Sequence, residues 1–95
     1  MSSERLIFRV HAIRRMFERR ITEQDVRHVL DNGEIIEDYP DDTPYPSRLI
    51  LGWCGRRPLH VVAAYNADEN TTIIITAYEP GPQRWDETFR TRSAT

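Results

Sequence analysis

Residues 58–80 read PLHVVAAYNADENTTIIITAYEP, two apolar runs on either side of a polar break. Pro58 to Tyr65 and Thr72 to Glu79 are rich in β-branched, aromatic and small apolar residues, and Asn66 to Thr71 is the kind of cluster that interrupts strands. The pair reads as an antiparallel hairpin. Neither run alternates cleanly: Val61, Val62, Ala63 and Ala64 are consecutive, as are Ile73, Ile74 and Ile75. Both faces of the sheet must therefore be covered, which makes these the central strands. Set among the apolar residues are His60, Thr76, Tyr78 and Glu79, polar groups that each need a partner if buried. They are the first candidates for chemistry.

Working outward, Arg48 to Cys54 forms the preceding strand, and Gly55-Arg56-Arg57-Pro58 turns it into Leu59, giving three consecutive antiparallel strands. Glu34 to Tyr39 mixes charged and apolar residues and suits a sheet edge. Pro40 to Ser47, with three prolines, cannot complete a ladder and reads as a stiff exposed loop. Upstream, Val10 to Arg19 has helical periodicity. Val10, Ile13, Met16 and Phe17 are expected to lie on the sheet by the Ile13 side, with His11, Arg14, Arg15, Glu18 and Arg19 facing away. Thr22 followed by Asp25 is a capping-box signal for a second helix running to about Asp31, with Val26, Val29 and Leu30 inward and His28 outward. Asn32-Gly33 is expected to end it with a left-handed residue. Leu6 to Phe8 is an edge strand or the lead-in to the first helix. Beyond Pro80-Gly81-Pro82, Trp85 and Phe89 are apolar anchors for a docking tail, and Thr91 to Thr95 is expected to fray.

The fold class is α+β: two N-terminal helices on one face of a small, mainly antiparallel sheet of three to five strands, in one domain over residues 1–95. The most compact turns place His60 beside Trp53 and Ala77, on a face with Leu49, Leu51, Val62, Ile73 and Ile75 beneath the helices. Tyr78, Thr76, Thr72, Tyr65, Arg48 and Cys54 then share the other face. A slip of one residue would reverse part of this assignment.

Composition narrows the function classes. No apolar stretch is long enough to cross a membrane, and Met-Ser-Ser-Glu-Arg lacks the pattern of a signal peptide, so a soluble cytoplasmic protein is expected. Cys54 is the only cysteine and the three histidines are scattered. No internal disulfide, structural metal or cofactor is implied. Asp38, Asp41 and Asp42 lack the glycine-turned ligand loop that would make them a cation site. The net charge of −2 conceals a segregation: residues 1–30 carry seven Arg against four acids, whereas residues 31–47 carry six acids and no Lys or Arg. All thirteen basic residues are Arg, which suits forked recognition of phosphate or carboxylate. Biased codon usage gives the same composition.

The motifs His11-Ala12, Arg15-Met16, Arg19-Arg20-Ile21, Gly33-Glu34-Ile35-Ile36-Glu37, Asp38-Tyr39-Pro40, Leu49-Ile50-Leu51-Gly52, Arg57-Pro58-Leu59-His60-Val61-Val62 and Ile75-Thr76-Ala77-Tyr78-Glu79-Pro80 span roughly residues 6–90. In that order they resemble the domain-of-unknown-function family numbered 4258. Two helices followed by an antiparallel meander also resemble RelE/ParE-type toxins, with which that family is usually grouped. The resemblance implies the toxin half of a toxin–antitoxin pair, acting as a metal-independent endoribonuclease on free RNA or on the ribosome, or a degenerate relative of such a toxin. It also implies a small zinc-finger protein as the antitoxin-like partner. Self-association stays open.

Metal-free RNA cleavage needs a base for the 2′-OH, an acid for the leaving oxygen and cations around the phosphate. His60 and Tyr78 are the proton-transfer candidates, joined by His11, which opens the first helix in line with Arg15 and Arg19. Arg48, Arg56, Arg57 and Arg84 complete the RNA-binding candidates. Each has a plain alternative: His60 as a core histidine with satisfied nitrogens, Tyr78 as a packed ring with a wet hydroxyl, the arginines as solvated charges. The second functional reading is a non-catalytic interaction module that binds a small partner protein through a sheet edge or the acidic loop. A pI near 5.9 suits it better than it suits an RNA-cutting enzyme.

Overall fold

Strand patterning in the second half and helical periodicity in the first produce a mixed α+β architecture. The computed structural model describes residues 5–92. In order these form β1 (Arg5–Phe8), α1 (Val10–Arg19), α2 (Glu23–Asn32), β2 (Glu34–Tyr39), β3 (Ser47–Cys54), β4 (Arg57–Asn66) and β5 (Thr71–Tyr78). The sheet has five strands in the order β1-β5-β4-β3-β2. β1 runs parallel to β5, with Ile7 opposite Ile73, and the other neighbours are antiparallel. The unbroken apolar runs of β4 and β5 sit inside the sheet, while the mixed sequence of β2 sits at an edge. Leu6 to Phe8 is thus an edge strand.

Each helix has a local cause. At the start of α2, the Asp25 amide donates to Thr22 Oγ1 at 3.0 Å and the Thr22 amide donates to Asp25 Oδ2 at 2.9 Å, so the capping box closes with an aspartate. α1 ends at Arg20, which adopts a left-handed conformation with φ 56°. The end of α2 corrects the sequence expectation, because Gly33 is extended with φ −80°. Close approach accounts for this glycine: a Cβ there would lie 2.5 Å from the Val29 carbonyl oxygen and 2.6 Å from that of Leu51. Gly52 has a related role, since a Cβ would meet Val29 Cγ2 at 2.7 Å.

Ala12 and Met16 of α1, Ile21, and Val26 and Val29 of α2 form one apolar cluster with Leu59, Val61, Ala63, Ile74 and Ala77. The expectation that α1 lies down by its Ile13 side is overturned. Val10, Ile13 and Phe17 are 72%, 54% and 87% exposed, whereas Ala12 is fully buried. Ala12 and Met16 lie one turn apart, and the small Ala12 side chain seats that side of the helix against β5. This rotation turns the larger apolar residues outward.

Pairing within the sheet departs from the register expected from the sequence in two ways. Between β3 and β4, Gly55 (φ 67°) and Arg56 make a two-residue turn with Cys54 opposite Arg57, so His60 faces Leu51 rather than Trp53. A shift of two leaves the faces unchanged. Between β4 and β5, the register shifts by one residue at Ile75, where Val62 opposes Thr76 but Ala63 opposes Ile74. This bulge brings Tyr78, not Ala77, opposite His60. Tyr78 and Thr76 therefore share the His60 face, while Thr72, Tyr65, Arg48 and Cys54 lie on the other, as the sequence suggested.

His60 also lies away from the helices, contrary to expectation, because the helix cluster takes its neighbours Leu59 and Val61. Its own side, with Leu49 and Leu51 both buried, is covered by irregular chain. Asn66 donates to the Tyr45 hydroxyl at 3.0 Å and Ser47 to Asp42 at 2.6 Å, which fastens the β2–β3 loop. Trp85 is buried and Phe89 meets Trp53 edge-on at 5.9 Å, which fastens the tail. Thr91 and Arg92, expected to fray, are held: the Asp86 amide donates to the Thr91 carbonyl at 2.9 Å and Arg92 bridges to Trp85. Ser93 to Thr95 lie outside the described residues.

Candidate functional site

His60 is fully buried, so its nitrogens must find partners inside the protein. Nε2 lies 2.9 Å from the Phe89 carbonyl oxygen, an acceptor, so this nitrogen carries the proton. Nδ1 is then the bare nitrogen, and it accepts from the Tyr78 hydroxyl at 3.3 Å. The ring is boxed by aromatic edges, with Trp85 at 4.4 Å and Tyr78 at 5.3 Å between centroids. Burial lowers the His60 pKa from its ordinary value; the Phe89 carbonyl and the more distant Glu37 oppose this, and Arg92 adds to it. Burial also raises the Tyr78 pKa. The two proton-transfer candidates meet, as a neutral hydrogen-bonded pair beneath the tail.

The tail is held over this pair by charge and by rings. Arg90 donates to Glu34 at 2.6 Å, Arg92 reaches Glu37 at 3.4 Å, and the Arg92 guanidinium lies 4.7 Å from the centre of the Trp85 ring. Asp86 opens the tail turn, accepting from the Thr88 hydroxyl at 2.6 Å and the Thr88 amide at 3.0 Å, and the hydroxyl bond leads in holding its carboxyl below the usual range. Glu37 also receives the Tyr39 hydroxyl. Trp85 and Phe89 were legible as anchors. The main-chain oxygen of Phe89 carries no sequence signal, yet it sets the His60 tautomer.

The remaining candidates do not converge on His60. Arg57 donates from Nε to Glu79 at 2.8 Å, from Nη1 to the Arg20 carbonyl at 3.1 Å, and from Nη2 to the Arg19 carbonyl. It ties β4 to the C-terminal end of α1, where carbonyls lack helical partners. Its donors are used inside the protein. Arg48 stands on the helix side of the sheet, 3.8 Å from Asp38. Arg56 is at the exposed β3–β4 turn and Arg84 is exposed in the tail. His11, Arg15 and Arg19 are exposed on α1. The nine candidates divide among the sheet's two sides, a turn, the tail and a helix.

Two other features bear on chemistry. Arg48 and Asp38 stand at a hollow of about 430 Å³ on the helix side, with Leu30, Ile50, Ala63 and Tyr65 in its walls. Cys54 is raised in pKa, chiefly by burial, and its thiol faces the Asp25 carbonyl at 3.9 Å, which fits a strand residue and not an activated thiol. Among the described residues, no group of three or more His, Cys, Asp or Glu could hold a metal ion. No helix of the described residues is long and apolar enough to cross a membrane.

Residues 8–79 match the family model described as a domain of unknown function, DUF4258. Neither a curated protein nor a solved structure matches the chain.

Proposed function

The chain belongs to the DUF4258 family, and from that premise we propose that it is a protein-binding module on a toxin-like fold, which acts by holding a partner rather than by cutting RNA. The observation that carries this reading is the state of His60: fully buried, with Nε2 committed to Phe89 and Nδ1 to Tyr78. A general base must reach the proton it abstracts, directly or through one water, and here the tail occupies that space. The scatter of the arginines agrees, because a phosphate in a cleavage site needs several cations at once. The slightly acidic pI agrees as well. A toxin-like component of a two-protein system is the role that fits, with the small zinc-finger protein suggested by the family resemblance as the partner.

Metal-free RNA cleavage is the second reading. It is favoured by one observation, the contact between His60 and Tyr78 on one side of the sheet. It requires the tail to lift. Incubating the purified full chain with a defined RNA in excess EDTA separates the two. The binding module predicts intact RNA, and stoichiometric recovery of one protein when the tagged chain is isolated from its own cells. Cleavage that drops about a hundredfold or more in folded His60→Ala or Tyr78→Phe overturns it in favour of the nuclease.

A further inference from the structure

The helix α1 presents an apolar stripe that no other described residue covers. Val10, Ile13 and Phe17 recur at spacings of three and four along one side, and Phe17 is 87% exposed. Beside them is a hollow of about 320 Å³ lined by Phe8, Ile13, Met16, Phe17, Ile21 and Glu23, which has room for a large apolar side chain. Clustered exposed apolar residues of this kind mark interaction surfaces.

The charges around the stripe select the occupant. Residues 9–20 hold five arginines, Arg9, Arg14, Arg15, Arg19 and Arg20, against the single acid Glu18. Among the described residues none of these five forms an ion pair. Arg14 follows Ile13 directly, and Arg9 and Arg20 bracket the helix. Glu23, at the rim of the hollow, is engaged by Arg27 at 2.9 Å. A second copy packed α1 against α1 would set this excess of arginine against itself. An anionic membrane would match the arginines, but its extended field would act on the whole chain, whose net charge is −2. An acidic protein surface matches the stripe without that penalty.

The backbone chemistry of the surface selects the form of the partner. A helix face offers side chains and no free ladder of amides and carbonyls, so a segment lying on it must satisfy its own main-chain groups. From these observations we infer that the Val10, Ile13 and Phe17 face of α1 receives an acidic amphipathic helix from a partner protein. This rests on the binding-module reading above and assigns that partner's contact to α1. Apolar residues at i, i+3, i+4 and i+7 of the partner lie along the stripe, with one entering the hollow. Its flanking Asp and Glu face Arg9, Arg14 and Arg20.

The test selects a displayed library of helical peptides against the intact chain, then measures binding of the most enriched peptide by fluorescence anisotropy. Enriched peptides are expected to carry acids beside an apolar stripe. Their affinity should fall about tenfold or more in Ile13→Ser and Phe17→Ser, and about as much in Arg14→Glu. Both apolar positions are exposed, so these variants should keep the parent melting temperature. Peptides that are basic or uncharged, peptides indifferent to Phe17→Ser, or no enrichment at all would overturn the assignment. Sedimentation that reveals a dimer lost in Phe17→Ser would give the face to a second copy, and co-sedimentation with phosphatidylglycerol vesicles lost in Phe17→Ser would give it to a membrane. RNA cleavage in EDTA would overturn the binding-module reading itself. A partner recovered from cells that still binds Phe17→Ser would leave that reading standing and remove only the α1 assignment.

Discussion

The two sides of the sheet are buried by different means, and their residues differ accordingly. Against the helices the sheet presents Leu59, Val61, Ala63, Ile74 and Ala77, all apolar. A helix satisfies its own main chain except at its ends, so the strands beneath its body need only apolar contact, and Arg57 meets the end carbonyls of α1. Against the tail and the β2–β3 loop the sheet presents His60, Tyr78, Ser47 and Asn66 beside Leu49 and Leu51. Irregular chain arrives with unpaired amides and carbonyls, and polar side chains of the sheet must meet them. His60 answers the Phe89 carbonyl in the tail, and Asn66 Nδ2 donates to the Tyr45 hydroxyl of the β2–β3 loop at 3.0 Å. A histidine amid apolar strands can therefore mark a non-helical cover as readily as a catalytic centre.

The contrast can be broken or sharpened by substitution, beginning with the helix side. Ile74→Ala, at a fully buried position, should cost about 2–5 kcal/mol in urea denaturation. A loss below about 1 kcal/mol would mean that the helix side is not the main core. His60→Leu keeps apolar bulk but orphans the Phe89 carbonyl and the Tyr78 hydroxyl, and should cost about 1–3 kcal/mol. Its signature is local: amide exchange should quicken in residues 81–92 and hold steady in α2. Equal quickening in both would show that the two coverings unfold together.

Arg57→Lys removes the fork that holds two main-chain carbonyls of α1, and a cost of about 1 kcal/mol is expected, discounted for its partial exposure. No change in melting temperature would deny Arg57 its tying role. A smaller effect comes from pH. The folded His60 pKa lies below its unfolded value near 6.5, so the unfolded chain binds more protons between the two. Stability should be full above about pH 6.5 and decline as pH falls below it, by at most about 1.4 kcal/mol per unit from this group. The decline should be shallower in His60→Leu; an unchanged slope would mean that His60 does not titrate on unfolding. The smallest effect should be Phe17→Ser, within about 0.5 kcal/mol by thermal melting, because the residue is almost fully exposed.

Much of the fold was legible because its causes are local. The span Val10–Arg19, the Thr22–Asp25 box, the hairpin about Asn66 to Thr71, the edge position of β2 and the anchors Trp85 and Phe89 each follow from neighbouring residues. What escaped depends on contacts distant in sequence. The bulge at Ile75 leaves no mark in a run of three isoleucines, yet it decides whether His60 meets Ala77 or Tyr78. Periodicity identified the apolar side of α1 without revealing that Ala12, rather than Ile13, takes the inward place. Gly33 looked like a helix terminator, and its reason is the approach of the Val29 and Leu51 carbonyls. For the candidate site, residue types were readable in His60 and Tyr78. The enclosure of His60 was legible as a core histidine with satisfied nitrogens, but its cover was not, because that is a tail arriving from beyond β5.

The pairing of β1 with β5 sets a schedule for synthesis. Among the described residues the first strand is completed by the fifth, since Arg5 to Phe8 align with Thr71 to Ile74. As the chain emerges from the ribosome, α1 and α2 can form early, but the apolar side of α1 has no β5 to rest on until Thr71–Tyr78 has been made. Loop-closure entropy makes such a late, long-range union slow. Until then Ala12 and Met16 are uncovered together with Ile13 and Phe17, and the nascent chain shows its environment an arginine-flanked apolar helix wider than the one that survives folding.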